Sequence, residues 1–284
     1  MNGYSFSTST QQANFRGIIR FYKGEKTMSL KRKTAIVTGG SNGMGKAMAT
    51  RFAAEGANVV ITGRNEERLA DTKKEIKKEA NADILTVQMD VRNREDVTRT
   101  IEETKKAYDS IDILVNNAAG NFICPAEELS PNGWKSVIDI CLNGTWNCTQ
   151  LVGQEMIEQK TGGVMLNMVA TYAWTGQAAV VHSATAKGGI LAMTRSLAIE
   201  WGKYGIRLNA IAPGVIENTG GSEILFSSEE AVQQVKEINP LGSVGQLDDI
   251  ADAAAFLVSD QSRYVNGDCM TVDGGQWIAN NRFM

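Results

Sequence analysis

The chain is poor in histidine: its 284 residues contain one, His182. That excludes metal centres built on several imidazoles. Its four cysteines, Cys124, Cys141, Cys148 and Cys269, form no C-x-x-C pair, which argues against zinc sites and thioredoxin-like redox chemistry. Scattered in this way, they read as buried, reduced thiols. Proline is scarce, at four residues. No apolar run approaches the ~18 residues of a membrane span, and a net charge of −3 leaves no basic surplus for a nucleic-acid partner. These absences describe a soluble intracellular protein without metal, membrane or nucleic acid. Glycine, by contrast, is plentiful at 28 residues, in a chain that is 43% hydrophobic. The length suits either two domains of ~150 residues or one open α/β sheet of about 250.

Residues 1–27 carry four basic side chains (Arg16, Arg20, Lys23, Lys26) and one acid (Glu25), hence +3, leaving −6 on residues 28–284. This shift marks a boundary between a leader and a single domain spanning 28–284. Rich in Ser, Thr and Arg, the leader has the character of a transit peptide for the mitochondrial matrix. Another reading starts from Lys23-Gly24-Glu25, whose codons end six nucleotides before that of Met28 and can contain AAGGAG, a bacterial ribosome-binding tract. On that reading Met28 is the true start of a cytoplasmic bacterial protein. A disordered tail is the third possibility.

From Thr34 onward, short β-branched runs alternate with amphipathic stretches of helical length. The pattern predicts a doubly wound, Rossmann-type α/β domain with seven parallel strands and helices on both faces. The strands fall at 34–38, 58–62, 83–89, 111–116, 163–169, 206–211 and 268–272. Helices are expected near 44–55, 66–80, 94–108, 132–159, 183–202 and 247–258, with a less regular stretch at 213–245. In such folds ligands sit at the carboxyl ends of the strands.

The first strand runs into Gly39-Gly40-Ser41-Asn42-Gly43-Met44-Gly45 and then a helix. Glycines let the backbone turn tightly and approach a pyrophosphate, whose charge is favoured at the helix N-terminus. The same residues satisfy G-x-S-x-G, a hydrolase nucleophile elbow, with Ser41 as nucleophile and His182 as the one available base; that reading leaves the rest of the pattern unexplained. The second strand ends in Ile61-Thr62-Gly63-Arg64 without a carboxylate. An acid there would bind a ribose 2′-hydroxyl, whereas Arg64 can pair with a 2′-phosphate, favouring NADP(H). Arg64 could also be a solvated residue at a helix start.

Together with Asn116-Asn117-Ala118-Ala119-Gly120 after the fourth strand, Asn143 in a long helix and Pro213-Gly214 after the sixth strand, the glycine turn resembles the short-chain dehydrogenase/reductase family over residues 34–277. The resemblance implies that Asp90 and Val91 flank the adenine. It further implies that Asn116, Ala118 and Gly120 line the cofactor, that Pro213, Gly214, Val215 and Ile216 meet the nicotinamide side, and that Asn143 keeps its family role. A homotetramer is the family's usual assembly, and the small residues after Ser183 would permit close helix approach.

One departure is informative. The family usually carries Tyr-x-x-x-Lys, with a Ser thirteen residues earlier; here stand Ser183-Ala184-Thr185-Ala186-Lys187, with Ala170 at the earlier position. Ser183 and Lys187 still share a helix face at i,i+4, but the phenol must come from elsewhere. Tyr172, in Val169-Ala170-Thr171-Tyr172-Ala173-Trp174, lies just past the fifth strand. With Asn121-Phe122-Ile123-Cys124-Pro125 and Val181-His182-Ser183, this pattern resembles the 2,4-dienoyl-CoA reductases of fatty-acid β-oxidation, in which the phenol sits at the position of Tyr172 and a second polar group at that of Asn121. The resemblance implies NADPH-dependent reduction of an acyl-CoA thioester. Hydride adds at the δ-carbon, charge runs to the thioester oxygen, and protonation at the α-carbon gives a 3-enoyl-CoA. Such a site needs hydrogen-bond donors at an oxyanion, which Tyr172 and Asn121 can supply. Lys187 would hold the nicotinamide ribose and Phe122 would pack the acyl chain. Ser130 is either a substrate contact or a helix cap, and His182 is a wall residue. A carbonyl reductase with a displaced tyrosine and a catalytically silent NADP(H)-binding regulator are the competing readings.

Overall fold

The computed structural model describes residues 29–219 and 229–279. The leader, and the part of the irregular stretch at 220–228, lie outside the described residues. Seven strands form one parallel sheet: β1 (Thr34–Thr38), β2 (Asn58–Gly63), β3 (Leu85–Gln88), β4 (Ile113–Asn116), β5 (Gly163–Met168), β6 (Ile206–Pro213) and β7 (Cys269–Val272). Their spatial order is β3-β2-β1-β4-β5-β6-β7, so the chain reverses its direction of travel across the sheet between β1 and β4. Every expected strand is present; β3, β4, β5 and β7 are shorter at their ends than the β-branched runs suggested.

Alternation along the strands builds two cores. Ala35, Val37, Val59, Ile61, Ile113 and Val115 face one side and meet Met48 and Phe52 of α1 (Gly43–Ala54), Leu69 and Ile76 of α2 (Glu66–Ala80), and Ile250 and Ala254 of α8 (Leu247–Val258). Ile36, Val60 and Leu114 face the other side. They meet Val97 and Ile101 of α3 (Arg94–Tyr108), Val152 and Met156 of α5 (Gly144–Gln159), and Leu197 and Trp201 of α6 (Val181–Trp201). The surface helices are well terminated. Asn65 caps α2 and Asn93 caps α3 through their side-chain oxygens, with acids in the first turn and lysines in the last, in keeping with the helix dipole.

Three expectations need correction. The single helix expected at 132–159 is instead α4 (Pro131–Val137), a π-helical segment (Ile138–Asn143) and α5. The bulge adjoins Gly144, where a Cβ would stand 2.5 Å from Val91 Cγ2, so the helix runs hard against the chain that follows β3. Within the irregular stretch, Glu229–Ile238 forms a helix, α7. All four cysteines are free, but only Cys141 and Cys148 are buried; Cys124 and Cys269 are half-exposed.

Candidate active site

The turn from β1 into α1 is held open by what its glycines omit. Gly39 has φ +62°, a left-handed conformation that a side chain disfavours. A Cβ on Gly45 would lie 2.3 Å from the Gly39 carbonyl oxygen and 2.4 Å from Asn117 Nδ2. Asn42 accepts the Gly43 N–H at 2.8 Å and so caps α1. The result is bare backbone at the start of a helix, at the switch point between β1 and β4, which fits the pyrophosphate of a dinucleotide.

Asn117 fastens this turn. Its amide donates to the carbonyls of Thr38 and Gly39, each at 3.0 Å, while Thr38 Oγ1 accepts the N–H groups of Asn117 and Ala118. Sequence reasoning chose Asn116 instead, and the structure gives that residue a different task. Its amide donates to Thr149 Oγ1 at 2.9 Å and Asn167 Oδ1 at 2.8 Å, and Asn167 donates on to Thr194. Asn116 is thus a buried brace between β4, β5 and the helices behind them. Asn116 is the last residue of β4 and Asn117 the first beyond it, so the two side chains serve different neighbours.

Arg64 is exposed immediately beyond β2. Asp90, beyond β3, binds the Arg92 guanidinium at 2.9 and 3.1 Å; Arg92 holds the carboxyl below its usual range, with a smaller contribution from Arg64. Val91 is buried. Past β6, Gly214 donates to Val272 at 2.9 Å, and Val215 accepts from Gly245 at 3.1 Å. Ile216 is buried in the core on the α1 side, which removes its side chain from the cleft. Ser41 follows the glycine pair; His182, its would-be partner in the hydrolase reading, contacts Phe122 and hydrogen-bonds no hydroxyl.

Tyr172 begins a single helical turn, Tyr172–Thr175, just past β5. Its hydroxyl lies 3.0 Å from Ser183 Oγ in the first turn of α6. One turn further along, Lys187 is buried and donates from Nζ to the Met168 carbonyl at 2.7 Å. Burial pushes the Tyr172 phenol above its ordinary value, partly offset by the Ser183 hydrogen bond, and burial pushes Lys187 down. The phenol therefore stays protonated at neutral pH and can donate a hydrogen bond. Trp174, on the same turn, stacks on Trp277 with centroids 5.5 Å apart and planes 24° apart.

Asn121 opens the exposed loop after β4, and Phe122 packs on His182 at 4.5 Å. Cys124 N–H donates to the Ala179 carbonyl at 2.8 Å, tying this loop to the approach to α6. Cys141, missed by sequence reasoning, is the residue of the π segment that faces the centre. Its thiol donates to the Gly120 carbonyl at 3.3 Å. Asn143 is not in that group. It is exposed and donates to Asp139 at 2.9 Å, because two further residues of the π segment carry it round to the solvent side. Ser130 accepts the Gly133 N–H at 3.0 Å and serves as the cap of α4.

A glycine-rich turn at the switch point of a doubly wound sheet, with a phenol and a buried lysine at the carboxyl edge, defines a dinucleotide-binding enzyme. Comparison with known proteins narrows the class. A family model described as enoyl-(acyl carrier protein) reductase matches residues 39–276. A Bacillus subtilis protein named as a probable 2,4-dienoyl-CoA reductase, (2E)-enoyl-CoA-producing, is 56% identical over 88% of this chain and 98% of its own. A Caenorhabditis elegans protein named as a probable 2,4-dienoyl-CoA reductase 3, (3E)-enoyl-CoA-producing, is 43% identical over 89% and 83%. The crystal structure of a short-chain dehydrogenase from Bacillus anthracis superimposes with a TM-score of 0.79 at 54% identity, covering 88% of this chain and 98% of that one. A gluconate 5-dehydrogenase from Burkholderia cenocepacia, in complex with NADP and tartrate, gives 0.82 at 30% identity, covering 88% and 96%. The chain belongs to the short-chain dehydrogenase/reductase family. It is an oxidoreductase similar to 2,4-dienoyl-CoA reductases.

Proposed function

We propose that the protein is an NADPH-dependent 2,4-dienoyl-CoA reductase of unsaturated fatty-acid β-oxidation. The observation that carries this reading is the 3.0 Å contact between the Tyr172 hydroxyl and Ser183 Oγ. It sets a phenol beside the place where the family's usual tyrosine is replaced by serine, and it does so from a separate turn. The names of the relatives point to the same activity.

The glycine turn from Gly39 to Gly45 would hold the pyrophosphate, Arg64 the 2′-phosphate, and Lys187 the nicotinamide ribose. When bound, the cofactor supplies the hydride. Tyr172 donates its hydroxyl proton in a hydrogen bond to the thioester oxygen, where negative charge collects, and the Asn121 amide supplies a second donor from the opposite loop. Ser183 orients the phenol. Phe122 packs the acyl chain.

The product double bond divides the relatives, one being named for the (2E) and the other for the (3E) isomer. A dienolate held through its oxygen is protonated fastest at the α-carbon, which gives the 3-enoyl-CoA. A homotetramer, with the small residues after Ser183 permitting close helix approach, and a cytoplasmic site of action accompany this reading. The test is NADPH oxidation with 2,4-hexadienoyl-CoA against a panel of ketones and aldehydes, with the product double bond located by NMR. Turnover of dienoyl-CoA is expected. Ketone reduction without dienoyl-CoA turnover would overturn the assignment.

A further inference from the structure

His182 is completely buried, at 0% exposure, yet neither Nδ1 nor Nε2 has a hydrogen-bond partner. Buried polar atoms are rarely left so, because each forfeits its bond to water. The ring is also not placed for packing alone, since a phenylalanine of similar shape would stack on Phe122 without that loss. Two further observations put it in the wall of the cleft. Its cover, Phe122, is 36% exposed and follows Asn121 on the opposing loop. Finally, Ala179, three residues earlier, has φ +60°, strained for a residue with a Cβ, and its carbonyl holds that loop through the Cys124 N–H. Unsatisfied polar atoms and backbone strain gather where a site is organised for a ligand.

We infer that His182 is a specificity-determining residue whose ring N–H is kept free for a carbonyl oxygen of the bound acyl thioester. The inference rests on the proposed acyl-CoA substrate. That oxygen belongs either to the thioester itself or to the first amide of the pantetheine arm. Phe122 lies against the imidazole and turns aside as the acyl chain packs on it, so a thioester long enough to reach Phe122 gains the hydrogen bond and a small ketone does not.

Because the chain has one histidine, untagged protein labelled with ¹⁵N-histidine gives a single pair of ring signals. Addition of hexanoyl-CoA, which cannot be reduced, is expected to shift them, whereas CoA without an acyl group should shift them less. In kinetics, His182→Phe is expected to keep or raise the melting temperature and to leave NADPH affinity unchanged. Its kcat/KM for 2,4-hexadienoyl-CoA should fall about five- to tenfold, the effect of one lost hydrogen bond. His182→Asn, which keeps a donor, should recover part of the loss. If the His182→Phe penalty persists with an ethyl thioester of the same acid, the thioester carbonyl is the partner; if it disappears, the pantetheine amide is. Ring signals unmoved by hexanoyl-CoA, or a His182→Phe variant with lower stability and unchanged kcat/KM, would overturn the inference. Absence of dienoyl-CoA turnover by the wild type would instead refute the proposed activity, and the ring signals would still report on acyl-CoA binding.

Discussion

The Tyr172 hydroxyl and the Ser183 Oγ stand 3.0 Å apart although they belong to different elements, the turn after β5 and the start of α6. The helix thus contributes the serine and the loop contributes the phenol. Tyr172→Phe should therefore lower kcat by about 10² to 10³, as expected for removing one oxyanion donor. Ser183→Ala should cost less. A crippled serine variant beside an active phenylalanine variant would reverse the roles.

Lys187 gives a prediction for stability rather than rate. Burial holds its folded pKa below the ordinary 10.5, so between the folded value and 10.5 the unfolded chain binds more protons than the folded one. Unfolding free energy then rises with pH through that window. Melting temperatures of wild type should climb with alkaline pH relative to Lys187→Met, and the two curves should approach each other near 10.5. Parallel curves would show that the lysine is not penalised by burial.

Asn143 lies outside the catalytic group, bonded to Asp139 on the solvent side. Asn143→Ala should accordingly leave kcat within about twofold, since exposed polar pairs of this kind contribute little. A loss as large as that of Tyr172→Phe would return Asn143 to the site.

Arg64 is exposed immediately beyond β2. Arg64→Glu should raise the KM for NADPH by tenfold or more, through loss of a charge-assisted bond to the 2′-phosphate, and should relatively favour NADH. Unchanged cofactor preference would show that another cation performs this selection.

The four thiols should react unequally. Burial pushes Cys148 up to about 12, and Cys269 also stands at about 12, mainly through burial, so neither forms thiolate at pH 8. Cys124, half-exposed, should be modified first by a disulfide reagent in the native protein, with the others following only on unfolding. Peptide mapping of the first labelled site checks this.

What the sequence made legible follows from which forces are local. Strands such as Thr34–Thr38 and the glycine turn were readable because β-branched runs and glycine spacing act within a few residues. Tyr172 was readable through its place at a strand end. The π segment was not, since it adjoins a close contact between Gly144 and Val91, residues some fifty positions apart in the chain. The same bulge defeated the choice of Asn143 and hid Cys141. Asn116 and Asn117 carry the same chemistry, and only the end of β4 between them decides which one reaches the glycine turn. His182 could be named a wall residue, but its unpartnered nitrogens depend on every neighbour around it.

The stack of Trp174 on Trp277 joins the catalytic turn to Gln276–Ala279, the last described helical turn of the chain. A change at this turn is thereby passed to the one that begins with Tyr172, two residues before Trp174, and the coupled indoles offer a built-in optical reporter of whether that connection is intact.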